Sequence, residues 1–262
     1  MSNFLERLSV STIIIFVLAL LLVSSHLLFI RIIILLIVAT LSAIALWEFA
    51  QFAKEKGLIL PVSILMALGA LISLFFPLHP WAGPILLLLA LFIVFVLHFR
   101  QVSHAITEIS VSFFGLLYIS VPLGMLLALL FQIHGVFWVI YLIAVTKSTD
   151  IGGYFGGKLL GRRKLASQIS PSKTIEGALC GFALSLLIGF LLSFSGLISS
   201  LESIILALLL GVVSIFSDLS ESLLKRDAGK KDSNHLPGLG GVLDFLDSLL
   251  FTIPILYFYT RL

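Results

Sequence analysis

Residues 110–131 read SVSFFGLLYISVPLGMLLALLF, a run with no Asp, Glu, Lys or Arg. A helix needs about 20 predominantly apolar residues to cross the hydrocarbon core of a bilayer, so this stretch predicts a transmembrane span. The rest of the chain repeats the pattern. Of its 262 residues 60% are hydrophobic and 11% charged, and mean hydropathy is +1.21. A soluble domain carries roughly 25% charged residues. Too few polar groups are present to coat a globule, so the composition predicts an integral membrane protein.

Nine spans are expected, at roughly 11–30, 32–53, 58–76, 81–99, 110–131, 136–150, 177–196, 203–224 and 242–260. The first run, Thr12 to Ile30, exceeds the roughly 7–15 residues of a signal-peptide core and reads as a retained span. The breaks carry turn and charge punctuation: KEKG, PLHP, RQVSH, QIHG and SFSGLISS. With a cytoplasmic N-terminus bearing Arg7, the inside loops hold Lys54, Lys56, Arg100, Lys158, Arg162, Arg163, Lys164, Lys173, Lys225, Arg226, Lys230 and Lys231. The loops around Pro77, His134 and Ser200 hold no Lys or Arg, and only Arg31 and Arg261 fall outside. Cations favour the cytoplasmic side, so the expectation is an all-α polytopic protein with about nine transmembrane helices and a cytoplasmic N-terminus.

The net charge of +3 suits a membrane surface better than nucleic acid, which needs a concentrated basic face. The lone Cys180 excludes an intrachain disulfide. No internal repeat supports an inverted-repeat transporter. Residues 1–135 read as scaffold helices facing lipid or a second copy in a homodimer. Residues 136–262 read as the catalytic region, with two polar cytoplasmic loops.

The first polar loop follows Lys147: KSTDIGGYFGGKLLGRRKLASQISPSKTIEGALCG. Gly152–Lys158 fits G-x-x-x-x-G-K, but Leu159 stands where a phosphate-binding loop needs Ser or Thr, and no strand precedes it. Gly153, Gly157 and Gly161, spaced every four residues, read instead as a close helix contact. Ser170, Ser172, Lys173 and Thr174 precede a helix start. That places hydroxyls and a cation where free N–H groups attract anions, though the same residues also suit an ordinary N-cap with Glu176 in the first turn. Asp150 lies one turn beyond Lys147. The two either neutralise each other or mark a site, since ionisable groups within spans are functional by default.

In the second loop, Ser214, Asp218, Ser222 and Lys225 or Arg226 share a helix stripe, with Glu221 beside it. Asp244 and Asp247 share a face of the next helix. Convergence of Asp218, Asp244 and Asp247 would raise their pKa values by mutual repulsion, which a hard divalent cation would relieve. Magnesium takes one or two carboxylates plus water and phosphate oxygens. The alternative is headgroup pairing with snorkelling cations, which leaves the carboxylates inside an apolar helix unexplained. His235 is a lone loop histidine, no HExxH occurs, and no GxSxG nucleophile is present.

These motifs resemble the phosphatidate cytidylyltransferase (CDP-diacylglycerol synthase) family. Ser222, Lys225, Arg226, Lys231 and Asp232 match the first half of its C-terminal signature. Pro237, Gly240, Gly241, Asp244 and Asp247 match the second. Asp150, Gly152, Lys158, Ser170, Pro171, Lys173, Thr174, Glu176 and Gly177 match its upstream block. Two positions depart: Leu239 replaces the family His and Phe245 the family Arg.

The resemblance implies magnesium-dependent transfer of CMP from CTP to phosphatidic acid, giving CDP-diacylglycerol and pyrophosphate in phospholipid biosynthesis. It implies a prokaryotic inner or plasma membrane and a cytoplasm-facing site. Asp218 and Asp247 would hold magnesium, with Asp244 assisting or binding a second cation. Lys225, Arg226 and Lys173 would meet phosphates, with Asp150, Ser170, Thr174, Ser222, Lys231 and Asp232 completing substrate binding. The rivals are another CTP-dependent lipid enzyme (a CDP-ether-lipid synthase or a lipid kinase), an inactive relative and an ion or solute transporter. A transporter predicts charges near span centres, whereas here they cluster at helix ends.

Overall fold

The computed structural model describes residues 20–79, 81–99, 103–231, 233 and 241–262. Its elements are α1 (Leu28–Glu55), α2 (Val62–Phe75), α3 (Ala82–His98), α4 (Ala105–Gly115), α5 (Val121–Leu130), α6 (Gly135–Leu160), β1 (Lys164–Ala166), β2 (Ser170–Thr174), α7 (Ile175–Ser193), α8 (Ser200–Asp227), α9 (Val242–Leu246) and α10 (Thr252–Tyr259). A 3-10 turn, Phe76–Leu78, follows α2, and a π turn, Leu116–Ser120, joins α4 to α5.

The chain is a multi-spanning membrane protein, but the nine expected spans are corrected to five. Among the described residues the helices long and apolar enough to cross are α1, Ala105–Leu130 (α4 through α5), α6, α7 and α8. Prolines account for much of the difference. α2 has 14 residues before the turn carrying Pro77, and α3 has 17. At a rise of 1.5 Å per residue, a 17-residue helix spans ~26 Å against a hydrocarbon core of ~30 Å. The expected span 242–260 divides into α9, of 5 residues, and α10, of 8. Pro254 lies in the first turn of α10, where its missing N–H costs nothing but the helix cannot extend further back. Of the expected span 11–30, residues 11–19 lie outside the described residues, and a turn at 24–26 divides the described remainder, so that α1 begins only at Leu28. The one sheet described is the antiparallel hairpin β1–β2, pairing Lys164 with Thr174 and Ala166 with Ser170.

Two compact units make up the fold. The first comprises residues 1–136 with 228–245. α2 packs along α1 and against α3 and α5, burying Leu46, Leu65, Ile72, Leu116, Ile119, Leu123, Leu127 and Leu129. α1 stops because Gly57 takes φ +79° and its N–H closes on the Lys54 carbonyl at 2.9 Å, a turn that favours glycine. Pro122, near the start of α5, cannot donate to the preceding turn. At the end of the π turn before it, Ser73 Oγ donates to the Ser120 carbonyl at 3.2 Å, and Ser42 Oγ donates to Ser120 Oγ at 3.0 Å. These hydroxyls satisfy backbone and side-chain groups that have no water at that depth.

The second unit comprises residues 137–227 with 246–262. α7 packs along α8, where Ser203 Oγ donates to the Gly189 carbonyl at 2.6 Å, and Tyr141 Oη of α6 donates to the Ser203 carbonyl at 2.7 Å. α6 meets α7 backbone to backbone: a Cβ on Gly152 would lie 2.8 Å from the Cys180 carbonyl oxygen, and one on Gly181 would lie 2.6 Å from that of Thr149. Small residues let membrane helices approach this closely.

Backbone cannot yield as a side-chain tip can. Gly181→Ala is therefore expected to cost about 1–3 kcal/mol, read as a lower thermal midpoint in detergent. Gly153→Ala, whose Cβ would meet only the Gly177 carbonyl oxygen at 3.9 Å, is expected to change stability by less than ~0.5 kcal/mol.

Candidate active site

Within the second unit a cavity of about 410 Å³ opens among α6, the hairpin, α7 and α8. α6 contributes Asp150, Gly153, Tyr154, Gly157 and Lys158, which recur at helical spacing and so share one face. Gly153 leaves room beside the backbone, since a Cβ there would meet only the Gly177 carbonyl oxygen at 3.9 Å, whereas one on Gly157 would lie 3.1 Å from Thr174 Oγ1. Lys158 Nζ lies 5.8 Å from the centre of the Tyr154 ring. β2 adds Ser172, Lys173 and Thr174, and α8 adds Ile215 and Asp218.

The hairpin is held in place by its flanks. Thr174 caps α7, its Oγ1 accepting from Gly177 N at 3.1 Å, as N-cap hydroxyls do. The Glu176 carboxylate accepts from the backbone N–H groups of Arg162 at 3.0 Å and Arg163 at 3.1 Å. Arg226, at the end of α8, donates from Nε to the Ile169 carbonyl at 3.2 Å, tying the hairpin turn to that helix. In this way a flexible polar loop becomes a fixed wall.

Charge is concentrated on the α8 side. Lys173 forms an ion pair with Asp218, with side chains 25% and 22% exposed. Ser222 Oγ lies 3.4 Å from the second carboxylate oxygen of Asp218. On α6, Lys147 Nζ donates to Asp150 at 3.3 Å and to Ser248 Oγ at 2.9 Å. Asp247 opens the turn after α9, outside the five long helices. Its carbonyl accepts from Ser217 Oγ, and Ser217 Oγ accepts from Phe251 N at 3.3 Å. Removal from bulk water pushes the Asp247 carboxyl up from its ordinary value. The charge on Asp218 adds to this, Lys147 opposes it, and Asp150 raises it further. Three carboxylates and two ammonium groups thus act on one another across a small space.

The residues anticipated from sequence divide by position. Asp150, Lys173, Thr174 and Asp218 line the cavity, and Asp247 interacts electrostatically with two of them. Ser170 heads β2 opposite Ala166. Lys225 is 8% exposed and forms an ion pair with Glu221 on the same helix. Lys231 and Asp244 belong to the first unit. There Asp244 Oδ2 accepts from Ser233 N and Ser233 Oγ at 3.0 Å and from Gly241 N at 2.7 Å. Phe245 is partly buried in that unit. Asp232 and Leu239 lie outside the described residues. The lining roles of Thr149 and Tyr154 escaped sequence reasoning, although their spacing from Asp150 on α6 carries the signal. Glu48 and Glu108, 0% and 2% exposed, also escaped; each is a lone carboxylate inside an apolar run.

The profile of the "Cytidylyltransferase family" matches residues 6–262. The chain belongs to the cytidylyltransferase family. A phosphatidate cytidylyltransferase of Chlamydia pneumoniae is 35% identical over 254 residues, 85% of this chain and 80% of that protein. One from Chlamydia muridarum is 41% identical over 161 residues, 56% of this chain and 52% of that protein. One from Bacillus subtilis is 44% identical over 132 residues, 49% of each. The chain therefore spans about half the length of the latter two relatives. Membership of this cytidylyltransferase family bears out the resemblance read from the two motif blocks.

A carboxyl whose pKa is higher in the folded chain than in the unfolded one binds more protons when folded. Its contribution to stability is therefore full in acid and lost as pH rises. Asp247→Asn cannot ionise. It is expected to raise the thermal midpoint over wild type more at about pH 8 than at about pH 5, measured in detergent with a chelator present.

Proposed function

We propose that the chain is a phosphatidate cytidylyltransferase, moving CMP from CTP onto the phosphate of phosphatidic acid to give CDP-diacylglycerol and pyrophosphate. The observation that carries this reading is the second unit's cavity, where Asp150, Asp218, Lys173 and Lys158 meet at the ends of spanning helices, within a chain belonging to the cytidylyltransferase family.

The nucleophile is a phosphate monoester oxygen, already anionic near neutral pH. It attacks the α-phosphorus of CTP, and the bond from that phosphorus to the β-phosphate bridging oxygen breaks, releasing pyrophosphate. No strong general base is required. The barrier lies in holding two anions together in line, which fixed cations and positioning lower.

Magnesium fits the donor set. Among the described residues no three His, Cys, Asp or Glu side chains group as a metal cage, but magnesium needs only one or two carboxylates, with water and phosphate supplying the rest. Asp218 and Asp247 would hold the ion, which would supply positive charge against the triphosphate. A cation there would also offset the burial, and the repulsion from Asp218, that raise Asp247.

The chain's own groups do the remaining work. Lys173, paired with Asp218 in the free protein, turns its ammonium to a substrate phosphate. Lys158, above the Tyr154 ring, provides a second phosphate contact at the rim. Asp150 holds Lys147 and would accept from a ribose hydroxyl. Arg226 keeps the hairpin wall in register through Ile169. Lys225, held by Glu221, supports the helix end and not the cavity lining. The acyl chains remain in the bilayer, and the excess of Lys and Arg in these loops favours a cytoplasmic site.

Purified protein given labelled CTP, phosphatidic acid and magnesium is expected to yield a CDP-lipid and pyrophosphate. Release of CDP would instead indicate a lipid kinase and overturn the reading. Asp218→Asn is expected to lower the rate on the order of 100-fold or more in a protein that still folds, read as a retained cooperative thermal transition. Wild-type rates in that variant would remove Asp218 from the site.

A further inference from the structure

The turn that leads from α6 into the hairpin carries charge that the cavity does not use. Between Asp150 and Glu202 the chain has five cations, Lys158, Arg162, Arg163, Lys164 and Lys173, and one carboxylate, Glu176. Lys158 lines the cavity and Lys173 is paired with Asp218. Arg162, Arg163 and Lys164 are exposed and stand outside the cavity lining. Among the described residues no salt bridge joins any of these three to a carboxylate. Arg163 attracts Glu176 electrostatically. Both oxygens of that carboxylate, however, are engaged by backbone: Oε2 accepts from Arg162 N at 3.0 Å and Arg163 N at 3.1 Å, and Oε1 from Arg163 N at 3.3 Å.

The backbone beneath the three cations is therefore fixed. The Arg163 carbonyl accepts from Ile175 N at 2.9 Å, and Lys164 pairs with Thr174 across the hairpin. Three adjacent like charges repel one another, and fixing their backbone keeps them adjacent. Their depth is set by what precedes them. α6 is long and apolar enough to cross the membrane and ends at Leu160. Leu159 and Leu160 are 78% and 60% exposed, an apolar pair that lipid covers. Exposed cations begin two residues later, so the boundary between hydrocarbon and headgroups falls between Leu160 and Arg162. All of these residues belong to the second unit. Basic residues just past the cytoplasmic end of a spanning helix attract anionic lipid headgroups. Here the neighbours of the basic triplet in the chain, Lys158 and Leu165, line the cavity.

We propose that Arg162, Arg163 and Lys164 form a surface that holds the phosphate headgroups of anionic lipids beside the mouth of the cavity. The surface gathers phosphatidic acid from the leaflet and orders the hairpin wall. The inference rests on the reading of the cavity as the phosphatidic acid site, and it adds a place outside that cavity where lipid charge is recognised. The cations touch no reacting atom. They act on the local concentration of an anionic substrate, so their removal raises KM for the lipid and leaves kcat alone.

The test uses the full chain in nanodiscs of phosphatidylcholine alone and in nanodiscs of phosphatidylcholine and phosphatidylglycerol in equal parts. Phosphatidylglycerol is anionic but lacks the phosphate monoester that the reaction needs. In wild-type protein, hydrogen exchange over residues 161–166 is expected to be slower in the anionic discs. Combining Arg162→Gln, Arg163→Gln and Lys164→Gln is expected to abolish that difference. In phosphatidylcholine discs the same variant is expected to raise KM for phosphatidic acid about 3-fold or more, with kcat and KM for CTP each within about 2-fold of wild type. Cations also orient spanning helices. Should the triple variant not accumulate, Lys164→Gln alone carries both readouts with a smaller shift. Equal exchange of the wild type in the two kinds of disc overturns the inference, as does an unchanged KM for phosphatidic acid. A raised KM for CTP with an unchanged KM for the lipid assigns the cations to the nucleotide and also overturns it. Protection by phosphatidylglycerol in a wild-type protein that makes no CDP-lipid overturns instead the functional reading beneath it.

Discussion

The ion pair between Lys173 and Asp218 joins the two parts of the second unit that carry its chemistry. Asp218 sits on a spanning helix, where an unpaired carboxylate would be expelled or protonated. Lys173 sits on a two-stranded hairpin that has too few residues to be stable alone. Each supplies what the other lacks. The helix offers a rigid anchor, and the hairpin offers a counter-charge that a phosphate can later take over. The same logic repeats where Arg226 reaches the Ile169 carbonyl and where Glu176 gathers the N–H groups of Arg162 and Arg163.

Around that pair the site is built from close helix contacts. Gly152 and Gly181 let α6 and α7 approach backbone to backbone, while Gly153 leaves the cavity side of α6 open and Gly157 admits Thr174 close against it. The spacing that resembles a phosphate-binding loop thus serves helix packing on one side and borders the cavity on the other. Lys147 answers Asp150 and Ser248, so the carboxylates of α6, of α8 and of the turn after α9 are held short of full repulsion. A magnesium–nucleotide complex would meet a site already close to charge balance.

The first unit shows that a scaffold can carry more than bulk. Its helices bury carboxylates at Glu48 and Glu108 as well as apolar side chains, and Glu48 spends both its oxygens on the N–H groups of Val242 and Leu243, from the other end of the sequence. Phe245 takes the place of the family arginine in this same segment. It is partly buried beside Asp244, whose hydrogen bonds are with Ser233 and Gly241.

Composition alone settled that the chain lives in a membrane, because so few charged residues cannot coat a globule. Apolar runs located most of the helices, and the two motif blocks located the family, because both signals are local. Span number was a different matter. Val62–Leu78, Ala82–His98 and residues 242–260 are all apolar, and hydropathy does not register that prolines and captured carbonyls divide or shorten them. The site was legible in its residue types, with Asp150, Lys173, Thr174 and Asp218 brought to one cavity. The partners of Asp244 were not legible, because helical periodicity places Asp244 and Asp247 on one face but says nothing of which donors claim each carboxylate. Sequence by itself determined the solvent this protein occupies and the chemistry it carries. Only the tertiary structure decided which charges meet, since pairings between residues as distant as Glu48 and Val242 depend on packing that no local pattern encodes.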